Sequence, residues 1–235
     1  MAQLTGEQRK LYLANQDRIA QQVQHREAGE FKKDKLKVLA ELTKLRQICC
    51  DPRLHYEDYK AGSAKLDTCM ELVHGALDGG HRILLFSQFT GMLDIIGKRL
   101  AKEDIAFLKL TGASSKESRA KMVAQFQAGE VPVFLISLKA GGVGLNLTAA
   151  DVVIHYDPWW NVAAQDQATD RAHRIGQQHT VTVYKLIAKD TIEERIMQMQ
   201  ESKRDLVNSV LGGDGISSAL FTREDVLALL GGDGR

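Results

Sequence analysis

The stretch VFLISLKAGGVGLNLTAADVVIHYDPWWN, residues 133–161, decides the fold class. It contains two short apolar runs, VFLIS and VVIHY, each of which has the length and the β-branched content of a strand. Strands that are apolar throughout are typical of a parallel sheet whose two faces are both covered by helices. The glycine-rich segment after the first run and DPWWN after the second therefore predict loops at the carboxyl ends of two buried strands.

The same alternation extends to both sides of this stretch. Further apolar runs predict strands at residues 82–87, 105–110 and 180–187. Amphipathic segments predict helices at residues 66–79, 91–102, 114–127 and 162–173. Ser114 with Glu117, and Thr191 with Glu194, have the spacing of helix capping boxes. We therefore expect an α/β protein with a mostly parallel sheet and helices on both faces.

The chain outside the alternating region predicts additional helical segments. Residues 7–50 have few glycines or prolines and apolar residues at helical intervals, which predicts two helices that end at Asp51-Pro52. The segment KAGSAK, residues 60–65, has the composition of a linker. We predict a helical linker and protrusion at residues 1–62, an α/β lobe at 63–211, and a helical tail at 212–235 with a short helix from Thr222.

The composition is that of an ordinary globular protein, with 44% hydrophobic and 26% charged residues, which excludes disordered and fibrous classes. No apolar run approaches the roughly 18 to 20 residues of a membrane span. Three cysteines without zinc-site spacing predict reduced thiols in a cytosolic protein. The net charge of +1 does not by itself indicate nucleic-acid binding, although residues 1–48 hold ten Lys or Arg against six Asp or Glu.

The segment DQATDRAHRIGQ, residues 166–177, holds the first candidate functional group. On a helix, Gln167, Arg171 and Arg174 fall within about 60° of one another. Arginine suits a forked grip on phosphate oxygens better than lysine does. A surface helix in which these arginines pair with Asp166 and Asp170 explains the segment equally well, and the segment alone does not decide between the two.

The two loops after the buried strands hold the other candidates. Three glycines in LKAGGVG allow main-chain amides to approach a phosphate or another domain, while a tight turn is the simpler alternative. Trp159 and Trp160 of DPWWN are suited to contacts with nucleic acid, and we expect at least one of them to pack in the protein instead. Neither a third dinucleotide-type glycine near Leu147 nor a Walker A lysine is present.

Taken together and in order, these segments resemble the C-terminal RecA-like lobe of the Swi/Snf family of DNA-dependent ATPases, within helicase superfamily two. ILLFSQFTGMLDII resembles motif IV, FLKLTGASSKESR the segment after it, SLKAGGVGLNLTAADVVIHYDPWWN motif V, and DQATDRAHRIGQ motif VI. The resemblance runs from about Ser63 to Leu211, and LTKLRQICCDPRL upstream is similar to the connector between the two lobes. Asp170 and Val162 depart from the glycine and proline that are common in the family.

The resemblance implies a RecA-like fold and a role for each motif. Arg171 and Arg174 would be arginine fingers toward the γ-phosphate of ATP, which would be held with Mg²⁺ mainly by another lobe. The residues that would bind ATP are Gly142, Gly144, Gln167, Arg171 and Arg174. The residues that would contact the DNA backbone are Ser87, Gln88, Thr111, Gly112, Lys139, Trp160 and Asn161. No metal ligand is expected within this chain.

The implied function is that of a second motor lobe in an ATP-dependent translocase or remodelling ATPase on double-stranded DNA. Because the chain has neither a Walker A loop nor an acidic metal box, we expect no ATP hydrolysis by it alone. The expected partners are double-stranded DNA, the N-terminal lobe of the same polypeptide and a DNA-bound protein complex. The form of DPWWN resembles bacterial members, so we expect a cytoplasmic, nucleoid-associated protein. Two alternatives stay open: an interaction module on a RecA-like scaffold, and a Rossmann-type nucleotide-cofactor domain.

Overall fold

A computed structural model describes residues 1–25, 28–141, 147–159, 180–202 and 222–231 of the chain. The chain divides into two compact units, one formed by Met1–Lys65 with Ile187–Arg235 and the other by Leu66–Leu186. The predicted boundaries at residues 62 and 211 stay a prediction, since residue 211 lies outside the described residues. Within the described residues, no helix has both the length and the apolar composition that a membrane span requires.

A five-stranded sheet forms the centre of the unit at Leu66–Leu186. Its strands are β2 (Ile83–Ser87), β3 (Phe107–Leu110), β4 (Val133–Ser137), β5 (Val152–His155) and β6 (Thr182–Lys185). Their order across the sheet is β3-β4-β2-β5-β6, and every neighbouring pair is parallel. The predicted parallel α/β sheet is therefore confirmed.

The three central strands are buried on both faces, as their composition predicts. Every residue of β2, β4 and β5 is at most 5% exposed. Because successive side chains of a strand point to opposite faces, burial of all of them requires a cover on each side of the sheet. Three helices that contact the sheet provide this cover: α4 (Thr90–Lys102), α5 (Lys116–Gln127) and the short α6 (Leu138–Gly141). Helix α3 (Ala64–Asp78) precedes β2 in the chain.

Helix α4 shows how the sequence pattern produces this packing. Its buried residues recur at intervals of three and four, so that they form one apolar stripe: Met92, Leu93, Ile96, Gly97 and Leu100. Gly97 allows a close approach, because a Cβ atom there would lie 3.0 Å from the ring of Phe107 on β3. A larger residue at this position would push the helix away from the sheet.

The capping box predicted for Ser114 and Glu117 is wrong. The N-cap of α5 is Ser115, whose Oγ accepts a hydrogen bond from the Ser118 N–H at 3.2 Å. The hydroxyl of Ser114 is already used in the preceding turn, where it accepts from the Thr111 N–H at 3.2 Å. With Ser115 as the cap, Ser118 occupies the third helical position and Glu117 falls one residue too early to complete a box.

The unit that contains both chain termini is mainly helical. Its elements are β1 (Ala2–Gln3), α1 (Gly6–Gln24), α2 (Ala28–Cys50), a 3₁₀ turn (Pro52–Leu54), β7 (Ala188–Lys189), α7 (Ile192–Ser202) and α8 (Arg223–Leu229). The two predicted N-terminal helices and the helix after Thr222 are confirmed. The parallel pairing of β1 with β7 is not predicted by the sequence, because each strand has only two residues.

Thr191 and Glu194 both cap the start of α7, although not in the reciprocal box that their spacing predicts. Thr191 Oγ1 accepts from the Glu193 N–H at 3.2 Å, and Glu194 accepts from the Asp190 N–H at 2.7 Å. Asp190 has a positive φ of 58°, which turns its N–H toward the helix. Because of this turn, the Glu194 carboxylate accepts from the N–H of Asp190 and not from that of Thr191, the next residue.

Lys65 and Glu193 form an ion pair in the interior of this unit. Both side chains are completely buried, and the Lys65 ammonium donates to the two carboxylate oxygens at 2.7 and 2.6 Å. Glu193 also accepts from the Ala188 N–H at 2.9 Å. All three cysteines of the chain lie in the described part, where they are buried and form no disulfide, which agrees with the predicted reduced thiols.

Candidate nucleic-acid and nucleotide interface

The carboxyl edge of the parallel sheet brings several predicted site residues together. Gln88 directly follows β2, Thr111 and Gly112 follow β3, and Lys139 lies in α6 directly after β4. Since parallel strands all end at the same edge, these segments share one side of the sheet, which is where ligands bind in open α/β folds. Only the backbone of Lys139 is described.

The predicted ATP site lies outside the described residues. This applies to Gly142, Gly144, Gln167, Arg171 and Arg174, and also to Trp160 and Asn161 of the predicted DNA site. The chain enters both undescribed segments from the carboxyl edge, one from α6 after β4 and the other from Trp159 after β5. Only β2 separates β4 from β5 in the sheet.

A buried carboxylate connects two of the loops at this edge. Asp157, two residues after β5, accepts a hydrogen bond from the Ser87 hydroxyl and another from the Gln88 N–H at 3.2 Å. Ser87 and Asp157 are 0% and 1% exposed, whereas Gln88 is partly exposed. Of the predicted pair Ser87 and Gln88, only Gln88 therefore reaches the surface.

The turn after β3 presents main chain to solvent. Thr111 Oγ1 accepts from the Ala113 N–H at 3.3 Å, and the Ser114 N–H donates to the Thr111 carbonyl at 3.1 Å. Gly112, at the tip, is exposed, and a Cβ atom there would meet nothing within 4 Å. The turn can thus accept a side chain at Gly112 without distortion, and it leaves the peptide group accessible.

His155 ends β5 but belongs to the interior. Its ring stacks on Phe86 of β2, with centroids 5.5 Å apart and an interplanar angle of 21°. Burial, and to a smaller extent the positive charge of Lys185, lower the pKa of His155 to about 4. The imidazole is therefore neutral near pH 7 and offers no positive charge to a phosphate.

Trp159 contributes to packing. It is partly buried against the apolar cluster on the sheet that includes Phe86, Ile136 and Leu138. The expectation that at least one tryptophan of DPWWN packs in the protein is thus confirmed for Trp159. A contact between Trp160 and DNA stays a prediction.

Asp157 does not stand out as a site residue in the sequence. Only the strand order could have found it: β2 lies beside β5, and their register pairs Phe86 with His155. This pairing places Ser87 next to Tyr156, and therefore close to Asp157, although 70 residues separate Ser87 from Asp157 along the chain.

Comparison with known proteins identifies the family. The helicase conserved C-terminal domain family matches residues 64–176. A putative ATP-dependent helicase/translocase of Bacillus subtilis, YwqA, is 42% identical over 195 residues, which are 80% of this chain and 21% of that protein. The chain spans about a fifth of the length of the curated relatives it matches.

Solved structures extend the similarity to the whole fold. The C-terminal domain of the Sulfolobus solfataricus SWI2/SNF2 ATPase matches with a TM-score of 0.78 and 32% identity, over 97% of this chain and 94% of that one. The SWI2/SNF2 ATPase core of the same organism, in complex with double-stranded DNA, matches with a TM-score of 0.80 and 35% identity, over 97% of this chain and 48% of that one. The predicted RecA-like lobe is thereby confirmed, and the chain belongs to the SWI2/SNF2 family of ATPases, within which it is a helicase C-terminal domain.

Proposed function

We propose that this chain is the second motor lobe of an ATP-dependent translocase or remodelling ATPase on double-stranded DNA. The observation that supports this most directly is the similarity, over 97% of the chain, to an ATPase core that was solved with double-stranded DNA. The relative in Bacillus subtilis is named a putative helicase/translocase, which agrees with movement along a duplex. In this proposal one lobe moves against the other as ATP is bound and hydrolysed.

The DNA-binding surface is the carboxyl edge of the sheet. Thr111 and Gly112 place a hydroxyl and a peptide group there, Gln88 is partly exposed although its side-chain amide nitrogen is buried, and α6 brings Lys139 to the same edge. These groups suit phosphate oxygens, and phosphate contacts hold little sequence information. Together with Trp160 and Asn161, they give a largely non-specific grip on the backbone, with Ser87 buried beneath it.

The nucleotide-facing part consists of Gly142, Gly144, Gln167, Arg171 and Arg174. Glycine amides and guanidinium groups are the donors that phosphate oxygens require, so this donor set fits a nucleotide. ATP, held with Mg²⁺ mainly by the N-terminal lobe, supplies the phosphoryl group and the free energy of the cycle. Arg171 and Arg174 act as fingers that stabilise the charge that develops during phosphoryl transfer.

This division of labour has two consequences for the protein. The chain by itself does not hydrolyse ATP, because the groups that bind the metal and the phosphates belong to the other lobe. Its partners are that lobe, duplex DNA and protein complexes bound to DNA, and in a bacterial cell its place is the cytoplasm, at the nucleoid.

The test uses the full-length protein, which joins this chain to its native upstream lobe. Arg171→Ala and Arg174→Ala should each lower the kcat of DNA-stimulated ATP hydrolysis by a factor on the order of 10³ or more. Arg99→Ala is the matched control, because Arg99 is a half-exposed arginine of α4 that pairs with Glu103 on the surface.

Displacement of a triplex-forming strand from duplex DNA measures translocation without requiring strand separation. Both finger variants should lose it, whereas the control should not. Full turnover in either finger variant would remove that arginine from the mechanism, and full turnover in both would favour an interaction module on a RecA-like scaffold.

A further inference from the structure

Three segments of the chain meet in the interior of the unit that contains both termini. The first is β1 with the start of α1. The second is Ala64-Lys65, where α3 begins before it continues into the other unit, and the third is residues 187–193, where the chain returns from β6. Every covalent route between the helical unit and the sheet therefore passes through the second or the third segment.

The first and third segments are held together by a strand pair and by a tyrosine. β1 is parallel to β7, and the Ala2 N–H donates to the Ile187 carbonyl at 2.8 Å. On α1, the hydroxyl of Tyr12 accepts from the Ile192 N–H at 2.7 Å. Tyr12 is 1% exposed, so this hydrogen bond is shielded from water. Helix α1 thus holds the start of α7.

Gln8 joins α1 to the second segment and to the end of α2. Its amide oxygen accepts from the Ala64 N–H at 3.2 Å, and its NH₂ group donates to the Ile48 carbonyl at 3.0 Å. Gln8 is 2% exposed and lies four residues before Tyr12, on the same face of α1. One face of α1 therefore binds the first residue of α3 and the first residue of α7.

Glu193 fastens the second segment to the third. Its carboxylate accepts from the Lys65 ammonium and from the Ala188 N–H, and both charged side chains are completely buried. Lys65 lies where the chain leaves for the sheet, and Ala188 lies where it returns. A single carboxylate thus holds the two crossing points of the chain together.

Stability alone does not account for this polar network. Replacing a buried ion pair by well-packed apolar side chains is often neutral or stabilising. A buried hydrogen bond contributes little net free energy, whereas a buried donor or acceptor that loses its partner is costly. The three segments therefore cannot shift against one another without leaving buried groups unpaired. The property that the network provides is a fixed relative position of the three segments.

We propose that Gln8, Lys65 and Glu193 form a joint that couples the two lobes during translocation, and that they are positioning residues for this step. The inference rests on the proposed function, in which the N-terminal lobe is joined to this chain upstream of β1. A movement of that lobe reaches β1 and α1 first, and the joint passes it to both segments that connect with the sheet. With a loosened joint, ATP is hydrolysed without movement along the duplex.

The experiment measures DNA-stimulated ATP hydrolysis and triplex displacement by the full-length protein under the same conditions. Gln8→Met keeps the approximate volume of the side chain and removes its hydrogen bonds to Ala64 and Ile48. We expect kcat for hydrolysis to stay unchanged, because Gln8 belongs to neither the proposed nucleotide site nor the proposed DNA site. The number of ATP molecules consumed per triplex displaced should rise about fivefold, the factor that corresponds to one lost hydrogen bond.

Gln16→Met is the matched control, because it makes the same substitution eight residues later on the same helix. Gln16 is 9% exposed and donates to the Leu230 carbonyl after α8, outside the three segments. It should lower the melting temperature as Gln8→Met does, without changing the ATP consumed per triplex displaced. An equal rise in both variants would reveal a general effect of loosening α1, and would overturn the inference.

A second variant tests the other half of the joint and replaces Gln8→Met if that variant does not fold. Lys65→Met with Glu193→Gln removes the ion pair and keeps an oxygen that can accept from the Ala188 N–H. It should show the same rise in ATP consumed per triplex displaced. An unchanged value in either folded variant would overturn the inference, and so would a fall in kcat with the ratio constant.

Failure of the inference and failure of the proposed function give different results. If the unmodified full-length protein displaces the triplex and the joint variants do so with the same ATP consumption, the proposed function stands and the coupling role is wrong. If the unmodified full-length protein hydrolyses ATP without displacing the triplex, the proposed translocase function itself is wrong.

Discussion

Mild acid should destabilise the sheet through His155. This residue is 1% exposed, and burial together with Lys185 lowers its pKa to about 4 in the folded protein. In the unfolded chain the imidazole returns to its ordinary pKa of about 6.5. Between these two values the unfolded state binds a proton that the folded state excludes. The stability is therefore fully present above pH 6.5 or so, and it falls as the pH drops toward 4.

The size of the effect follows from the two pKa values. At pH 5.0, protonation of His155 favours the unfolded state over the folded state by a factor of about 30, which corresponds to a loss of about 2 kcal/mol in the free energy of unfolding. At pH 7.5 the loss is close to zero. No reduction for solvent screening applies, because the ring is almost entirely buried. A loss of about 2 kcal/mol is a large part of the total stability of a typical domain.

Urea unfolding followed by tryptophan fluorescence measures this loss. Trp159 belongs to the same unit as His155 and is partly buried there, so its fluorescence reports the relevant transition. Between pH 7.5 and 5.0 the unmodified protein should lose about 2 kcal/mol more than His155→Gln, which cannot titrate. The control for the substitution itself is His74→Gln, which makes the same change at a half-exposed histidine that pairs with Glu103 on the surface. An equal loss in His155→Gln and the unmodified protein would refute the reasoning.

Two further substitutions test the buried ion pair and the DNA-facing edge. Lys65→Met leaves the Glu193 carboxylate buried without its cation and should cost about 3 to 5 kcal/mol in urea unfolding followed by circular dichroism. Adding Glu193→Gln to it should recover part of that cost, and no recovery would contradict an electrostatic origin. Gly112→Asp places a negative charge at the proposed DNA edge and should weaken duplex binding about tenfold in fluorescence anisotropy. Gly75→Asp is the control, because it adds the same charge at a glycine with equally open surroundings; equal weakening would argue against contact at Gly112.

The elements that sequence alone predicts well are those whose cause is local. VFLIS and the first four residues of VVIHY form strands in which every residue is buried, because an apolar run without alternation places apolar side chains on both faces of the sheet. The helix after Thr222 also follows from local chemistry, since Thr222 and Asp225 form a reciprocal capping box. Ser114 and Ser115 show where prediction from local sequence fails, because either hydroxyl could cap the helix that follows. The turn at Thr111 uses the hydroxyl of Ser114, so Ser115 is the N-cap.

The order of the motifs in the sequence determined the family and the class of fold, because local patterning and the residues suited to phosphate can both be read along the chain. The tertiary structure alone decided which distant groups meet. Asp157 holds Ser87 and Gln88 because β5 lies beside β2 in the sheet, and Lys65 meets Glu193 across 128 residues of chain. Such contacts depend on strand order, register and helix packing. These are set by how the whole chain buries its apolar surface, so no spacing within a single segment encodes them.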